Sequence, residues 1–285
     1  MKLNPIEKVQ QLSKADFTKY FLEPKRPVIF KDLSAQWPAV NKWTFDYFKE
    51  NYGDLEVSLI DKSFNSAENY FKSVKKLRFY EYLDLLEQNK PIDLRLFLFD
   101  IFKEAPELTN DISFPEIMNG FIKNYKFMFF GGRESVTNLH FDVDCSHVFL
   151  TQFQTRKKVI LFSPEESKKL YHLPFTTMSK FDPENPDFEK YPLAEYLNGY
   201  EGTIEHGETV FIPSEWWHYL RYIDGGFSLA LRANDSPLTI LKGGLHLVQH
   251  QLIDLSLSKV LGANWHKWKE DQARKKAKKL EHELV

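Results

Sequence analysis

A histidine and a carboxylate two positions apart, His140 and Asp142, open the stretch NLHFDVDCSHVFLTQF, which otherwise reads as β-strand. Such a pair is weak by itself: with nine His and 40 Asp and Glu in 285 residues, roughly one is expected by chance. The chain has a second, His206 and Glu208. Residues two apart on a strand share a face, so His140 and Asp142 would both aim into a barrel interior and Phe141 away from it. That is half a metal site. His218, in GETVFIPSEWWHYL, is the candidate third ligand: Gly207 and Glu208 turn into one strand, Pro213 ends it, His218 opens the next, and Trp216 and Trp217 are placed to wall the pocket. Two imidazoles and one carboxylate on one side of an octahedral metal leave three adjacent positions free. That suits non-haem Fe(II) that must hold an organic acid and dioxygen together. His206 and Glu208 sit at a turn served by Gly207 and read as structural.

Lys157, in RKKVILFSPEES, lies on the following strand. Alone, a lysine there is more often an edge residue that snorkels to water. Pointing into a barrel that already holds a metal, it is costly unless an anion neutralises it, and a dicarboxylate is the natural partner.

The elements that must position these residues change in texture along the chain. Up to about residue 120, capped amphipathic segments such as TFDYFKENYGD alternate with short strands such as RPVIF and LEVSLI. NYFKSVKKLRFYEYLDLLEQNK reads as mostly helical, and LRLFLFDIF is ambiguous between strand and helix. From Tyr125, short apolar or alternating runs (YKFMFFGG, HVFLTQF, KKVILFSP, ETVFIP, WHYLRYI, FSLALRA) are separated by Gly, Pro and Ser, the pattern of an antiparallel sandwich or barrel. After Pro237 the pattern is helical. The expected division is a mixed lead-in over 1–120, a β core over 121–236 and C-terminal helices over 237–285.

Aromatics at 15% of the chain favour β structure, and a formal charge of −2 gives no overall case for nucleic acid or an anionic membrane. The basic tail, with Lys275, Lys276, Lys278 and Lys279, is interleaved with acids and reads as a solvated helix face. A single cysteine, Cys145, excludes an intramolecular disulfide and suits a reducing compartment. With no signal-like or membrane-spanning run, the expectation is a soluble cytoplasmic protein. His147 reads as a core or surface histidine, and His172, His246, His250, His266 and His282 as structural.

Taken together, GGRESVTNLHFDVD, TQFQTRKKVILFSPEES and YEGTIEHGETVFIPSEWWHYLRYIDGGFSLALRAN resemble the JmjC or cupin-8 family of Fe(II)/2-oxoglutarate oxygenases, in the branch that contains the asparaginyl hydroxylase of hypoxia-inducible factor. The resemblance extends over residues from about 15 to 235. It implies a double-stranded β-helix (cupin or jelly-roll) core with flanking helices, Fe(II) on His140, Asp142 and His218, and 2-oxoglutarate held by Lys157 with help from Thr137. Lys158 is the off-by-one alternative to Lys157. Arg232 stands where that branch carries an asparagine, either to meet a carboxylate of the cosubstrate or substrate or to lie against Asp142 or another acid. Two extra residues after Asp142 suggest a β-bulge around Asp144 to His147. The activity implied is a dioxygenase that hydroxylates a protein side chain or a small molecule, with dioxygen as oxidant. Its alternatives are a JmjC demethylase, with RNA modification as a minor option, a cupin using the triad with another metal, and a non-catalytic cupin-type binding module. The apolar helix from Leu238 to Leu261 needs a partner surface, and the resemblance implies a homodimer through it.

Overall fold

The apolar runs after residue 120 become strands because β-branched and aromatic residues alternate between two faces, both of which are covered. A computed structural model describes residues 1–66, 70 and 72–284. Its core strands are β7 (Phe121–Gly131), β8 (Val136–His140), β9 (His147–Phe153), β10 (Lys157–Phe162), β11 (Asn198–Ile204), β12 (Thr209–Ile212), β13 (Trp217–Tyr222) and β14 (Gly226–Ala233). The lead-in adds β1 (Lys2–Pro5), β2 (Lys8–Val9), β3 (Val28–Phe30), β4 (Glu56–Ile60), β5 (Lys75–Arg78) and β6 (Arg95–Phe99). One sheet runs β1-β11-β10-β13-β8; the other runs β2-β3-β12-β9-β14-β7-β6-β4-β5. The protein is therefore mainly β with flanking helices, a jelly-roll whose core sheets the lead-in strands extend.

The two faces of the larger sheet explain why every residue of β9 and β14 is buried. Val148, Leu150 and Ala230 point inward against Val159 and Leu161 of the facing sheet. Phe149, Phe153, Phe227 and Leu229 point outward into a lead-in core built around Phe17, Trp43, Phe48 and Phe79. Each such large apolar side chain contributes roughly 1.5–3 kcal/mol on burial.

Two of the sequence readings change. The segment read as mostly helical begins with strand β5, paired with β4, and only Phe79–Glu87 is helix; its residues Asn69 and Phe71 lie outside the described residues. The ambiguous LRLFLFDIF divides into strand β6 and a helical turn, Ile101–Glu104.

Beyond the core, Ser236 caps a helix, Pro237–Val248, by accepting from the Thr239 amide. A π-type stretch, Gln249–Asp254, and a helix, Leu255–Leu261, continue it. Gly262, at φ +50°, turns the chain into the last helix, Ala263–Leu284. Gly243 lets the first of these helices press on the loop after β8, since a Cβ there would lie 2.2 Å from the Asp144 carbonyl oxygen. That contact brings the helical arm over the open end of the jelly roll.

Candidate metal centre and adjoining pocket

His140 ends β8 and His218 begins β13, and the two are direct cross-strand partners. Their ring centroids are 4.2 Å apart. Asp142 lies just past the end of β8, in the turn to β9, with one oxygen 3.9 Å from His140 Nε2 and the other 3.9 Å from His218 Nε2. One ligand atom from each residue lies within 4.8 Å of the others. The Nδ1 proton of His140 donates to the Asn138 carbonyl (2.8 Å) and that of His218 to the Trp216 carbonyl (3.0 Å), which leaves both Nε2 lone pairs for a metal. Burial, then the neighbouring His218, pushes His140 down to about 3, so its imidazole is neutral, the form that ligates. Burial works to raise the Asp142 carboxyl, and Arg232 and His218 outweigh it, holding the group below the usual carboxylate range. Two imidazoles and one carboxylate fit a divalent first-row metal with an open face.

Arg232 takes the second of its two expected roles. Its Nη1 is 2.8 Å from Asp142 Oδ2 and 3.1 Å from Asp144 Oδ1, and its guanidinium lies over the Tyr125 ring. It fixes the carboxylates beside the histidines. The expected bulge between Asp144 and His147 is absent from the strand, since β9 pairs with β14 without a break from Phe153 to His147. The extra residues are taken up by the turn, where Cys145 sits at φ +53°.

Alternation along β10 separates the two candidate lysines. Lys157 points inward, 1% exposed, donates to Ser228 Oγ and sits 3.9 Å from the centre of the Tyr222 ring. Lys158 points outward and pairs with Glu184 (3.1 Å) and Glu201 (3.2 Å). Burial first, and Arg95 second, hold the Lys157 amine well below its ordinary range. Thr137 also lines this pocket, although three residues from His140 it should face the other way. The register of β8 against β13 slips between the His218 and Leu220 pairs, and this irregularity turns both Thr137 and His140 inward.

An outer cavity of about 340 Å³ adjoins the triad, with Phe97, Tyr125 and Met178 on its walls and Leu247, His250 and Gln251 reaching in from the helical arm. His250, read as structural, thus borders the site, and its Nδ1 lies 3.6 Å from Asp254. His206 accepts from the Gln154 amide and Glu208 pairs with Lys8, as turn residues. His147 is buried, accepts from the Ser214 amide and lies 3.1 Å from Asp235. The side chain of His282 lies outside the described residues. Of the two readings open for Trp217, pocket wall or core, the structure takes the second, and Trp216 does not wall the pocket either. Trp217 faces the opposite side of β13 from His218 and packs on Phe141 at 4.9 Å, and Trp216 packs on Tyr200. Sequence reasoning missed Arg95, Tyr222 and Ser228. For Arg95 the available signal was a charge inside the apolar run LRLFLF.

A family model described as a cupin-like domain matches residues 14–234. Lysine-specific demethylase 8 of Xenopus tropicalis is 28% identical over 235 residues, covering 79% of this chain and 52% of that protein. tRNA wybutosine-synthesizing protein 5 of Homo sapiens is 30% identical over 242 residues, covering 75% of this chain and 73% of that protein. Its counterpart in Gallus gallus is 32% identical over 235 residues, covering 73% and 70%. The chain spans about half the length of the demethylase relative. It belongs to the cupin-like domain family, in the JmjC group of Fe(II)/2-oxoglutarate-dependent oxygenases.

Proposed function

We propose that the chain is an Fe(II)- and 2-oxoglutarate-dependent dioxygenase that hydroxylates a protein side chain or a small molecule, with His140, Asp142 and His218 as metal ligands and Lys157 as the cosubstrate anchor. The observation that carries this is one inward-facing group: three ligand atoms within 4.8 Å of one another, in the same pocket as a buried lysine that has no carboxylate partner among the described residues.

Bound Fe(II) and 2-oxoglutarate supply the oxidising chemistry, in which dioxygen is consumed, succinate and carbon dioxide are released and a substrate C–H becomes C–OH. The protein supplies position and charge. Arg232 orients Asp142 and keeps it ionised. Lys157 donates to the distal carboxylate, with the Tyr222 ring beneath its ammonium. Val148, Leu150, Ile212 and Leu220 line the pocket and exclude water, which strengthens that contact. The outer cavity takes the substrate, against apolar walls that leave the triad as its reactive end.

No helix of the described residues is long and apolar enough to cross a membrane. We place the protein in the cytoplasm, in keeping with its single, unpaired Cys145. We also infer a homodimer through Leu238, Leu241, Leu245 and Leu252, each more than half exposed on the helical arm.

The test is succinate release with Fe(II), ascorbate and oxygen, with His140→Ala as background and N-oxalylglycine as competitor. Relatives named for lysine demethylation and for wybutosine synthesis make a methyl-lysine peptide and a tRNA worth adding beside unmodified peptides. Slow succinate release blocked by N-oxalylglycine is expected. Absence of turnover together with absence of 2-oxoglutarate binding to the metal-loaded protein would overturn the proposal.

A further inference from the structure

Strand β6 carries an arginine on a face that an apolar run would fill with leucine. Arg95 is 6% exposed, and its Nη1 donates to Thr137 Oγ1 (3.1 Å) and its Nη2 to the Asp61 carbonyl (3.1 Å). Among the described residues its buried Nε has no hydrogen-bond partner. Among the described residues no carboxylate lies within 4.0 Å of the guanidinium, because the nearby acids are engaged elsewhere: Asp61 accepts from the Ser63 amide and Asp93 from the Lys62 amide. A buried guanidinium without a counter-charge is one of the most costly groups a protein can hold.

Arg95 borders the outer cavity, and its partner Thr137 borders that cavity and the inner pocket that holds Lys157. The three buried cations around the site therefore divide into two kinds. Among the described residues Arg232 has Asp142 and Asp144, while Lys157 and Arg95 have no acid. Thr137 Oγ1 accepts from Arg95 and so keeps its own proton to donate inward.

We propose that Arg95 is a second anchor for the distal carboxylate of 2-oxoglutarate, shared with Lys157 across the Thr137 hydroxyl, so that the pocket selects a 2-oxo acid with a second carboxylate over one ending in a methyl group. This rests on the oxygenase reading above. The carboxylate accepts from the Lys157 ammonium, from Thr137 and from the free Arg95 Nε–H, and its charge answers two cations that otherwise repel each other. The cost of burying them is recovered when the dianion binds.

The test is calorimetric titration, without oxygen, of Fe(II)-loaded wild type, Arg95→Met and Arg95→Gln with 2-oxoglutarate and with 2-oxobutyrate, which lacks the distal carboxylate. Both variants are expected to lose 2-oxoglutarate affinity by about ten-fold or more while 2-oxobutyrate binding stays within about two-fold of wild type. The melting temperature of ligand-free Arg95→Met is expected at or above that of wild type, because an unpaired charge has been removed from the interior. Two variants are used so that a folding failure of one leaves the other to decide. Unchanged 2-oxoglutarate affinity overturns the assignment, as does an equal loss for both acids, which would mark a merely structural arginine. Failure of the wild type itself to bind 2-oxoglutarate would instead overturn the oxygenase reading.

Discussion

Replacing Lys157 with methionine keeps the length and apolar body of the side chain and removes its charge, which separates two effects of one buried cation. In the ligand-free protein the amine is held well below its ordinary value of 10.5, by burial first and by Arg95 second. Between that lowered value and 10.5 the unfolded chain binds more protons than the folded one, so stability rises with pH through the window and levels off above it. Lys157→Met should abolish that slope and leave the ligand-free protein no less stable than wild type, since a well-fitting apolar group replaces an unpaired charge. Cosubstrate binding moves the other way. A charge-assisted contact to a carboxylate in a shielded site is worth about 2–5 kcal/mol. At the lower end of that range, about 2–3 kcal/mol, the loss is ~30- to 150-fold in Kd. Anaerobic calorimetry with 2-oxoglutarate on the Fe(II)-loaded proteins reads the loss of affinity, and urea melts of the ligand-free proteins across a pH series read the slope. A variant that binds like wild type, or one that keeps the wild-type dependence of stability on pH, would refute the reasoning.

His140→Ala, Asp142→Ala and His218→Ala should each lose metal binding while keeping the wild-type circular dichroism spectrum, whereas His206→Ala should keep the metal. Retained iron in His218→Ala would remove it from the ligand set. Asp254 is fully buried and is met by Lys269 at 2.5 Å, by the Trp265 indole at 2.8 Å and by the Tyr70 hydroxyl. Asp254→Asn should therefore cost about 3–5 kcal/mol in a urea melt, because Lys269 is left buried without a counter-charge. In the wild type, burial works to raise the Asp254 carboxyl, and His250, Lys269 and Tyr70 outweigh it and hold the group below its usual 3.8. Its stabilisation is thus complete above that value and lost as the pH falls through the folded-state value, so Asp254→Asn should flatten the acid limb of a stability-versus-pH curve.

The core strands were legible because their periodicity is local: each apolar run lies between turn residues, and burial on both faces fixes the register. Lys157 and Lys158 stay alternatives in the sequence, because only the register of β10 in its sheet decides which of the two faces inward, whereas the turn at Gly207 marks His206 as structural. Where alternation fails, so does the reading. Thr137 faces inward only because β8 is irregular against β13, a property of the strand pair that neither sequence displays alone. Trp216 and Trp217 were placed beside the pocket by proximity to His218, but Trp217 is one residue away and so on the other face. Arg95 was missed for a different reason: β6 is carried to the core by pairing with β7, a non-local contact that no window of sequence contains. For Arg232 the sequence supports two roles equally, because the choice depends on the turn that carries Asp144.

Strand β8 is the outermost strand of its sheet, paired on one side with β13 and held on the other by short contacts from residues 177–179. Sheet margins are where native structures fray first. Here the marginal strand ends in His140, directly opposite His218 of its strand neighbour β13, so an ion bound by both imidazoles would rivet the margin of the sheet to its interior. Peeling β8 away and releasing the ion then become one event, and amide exchange at Leu139 and His140 should slow in proportion to metal occupancy. The chain places its least secure hem where the cofactor can do the stitching.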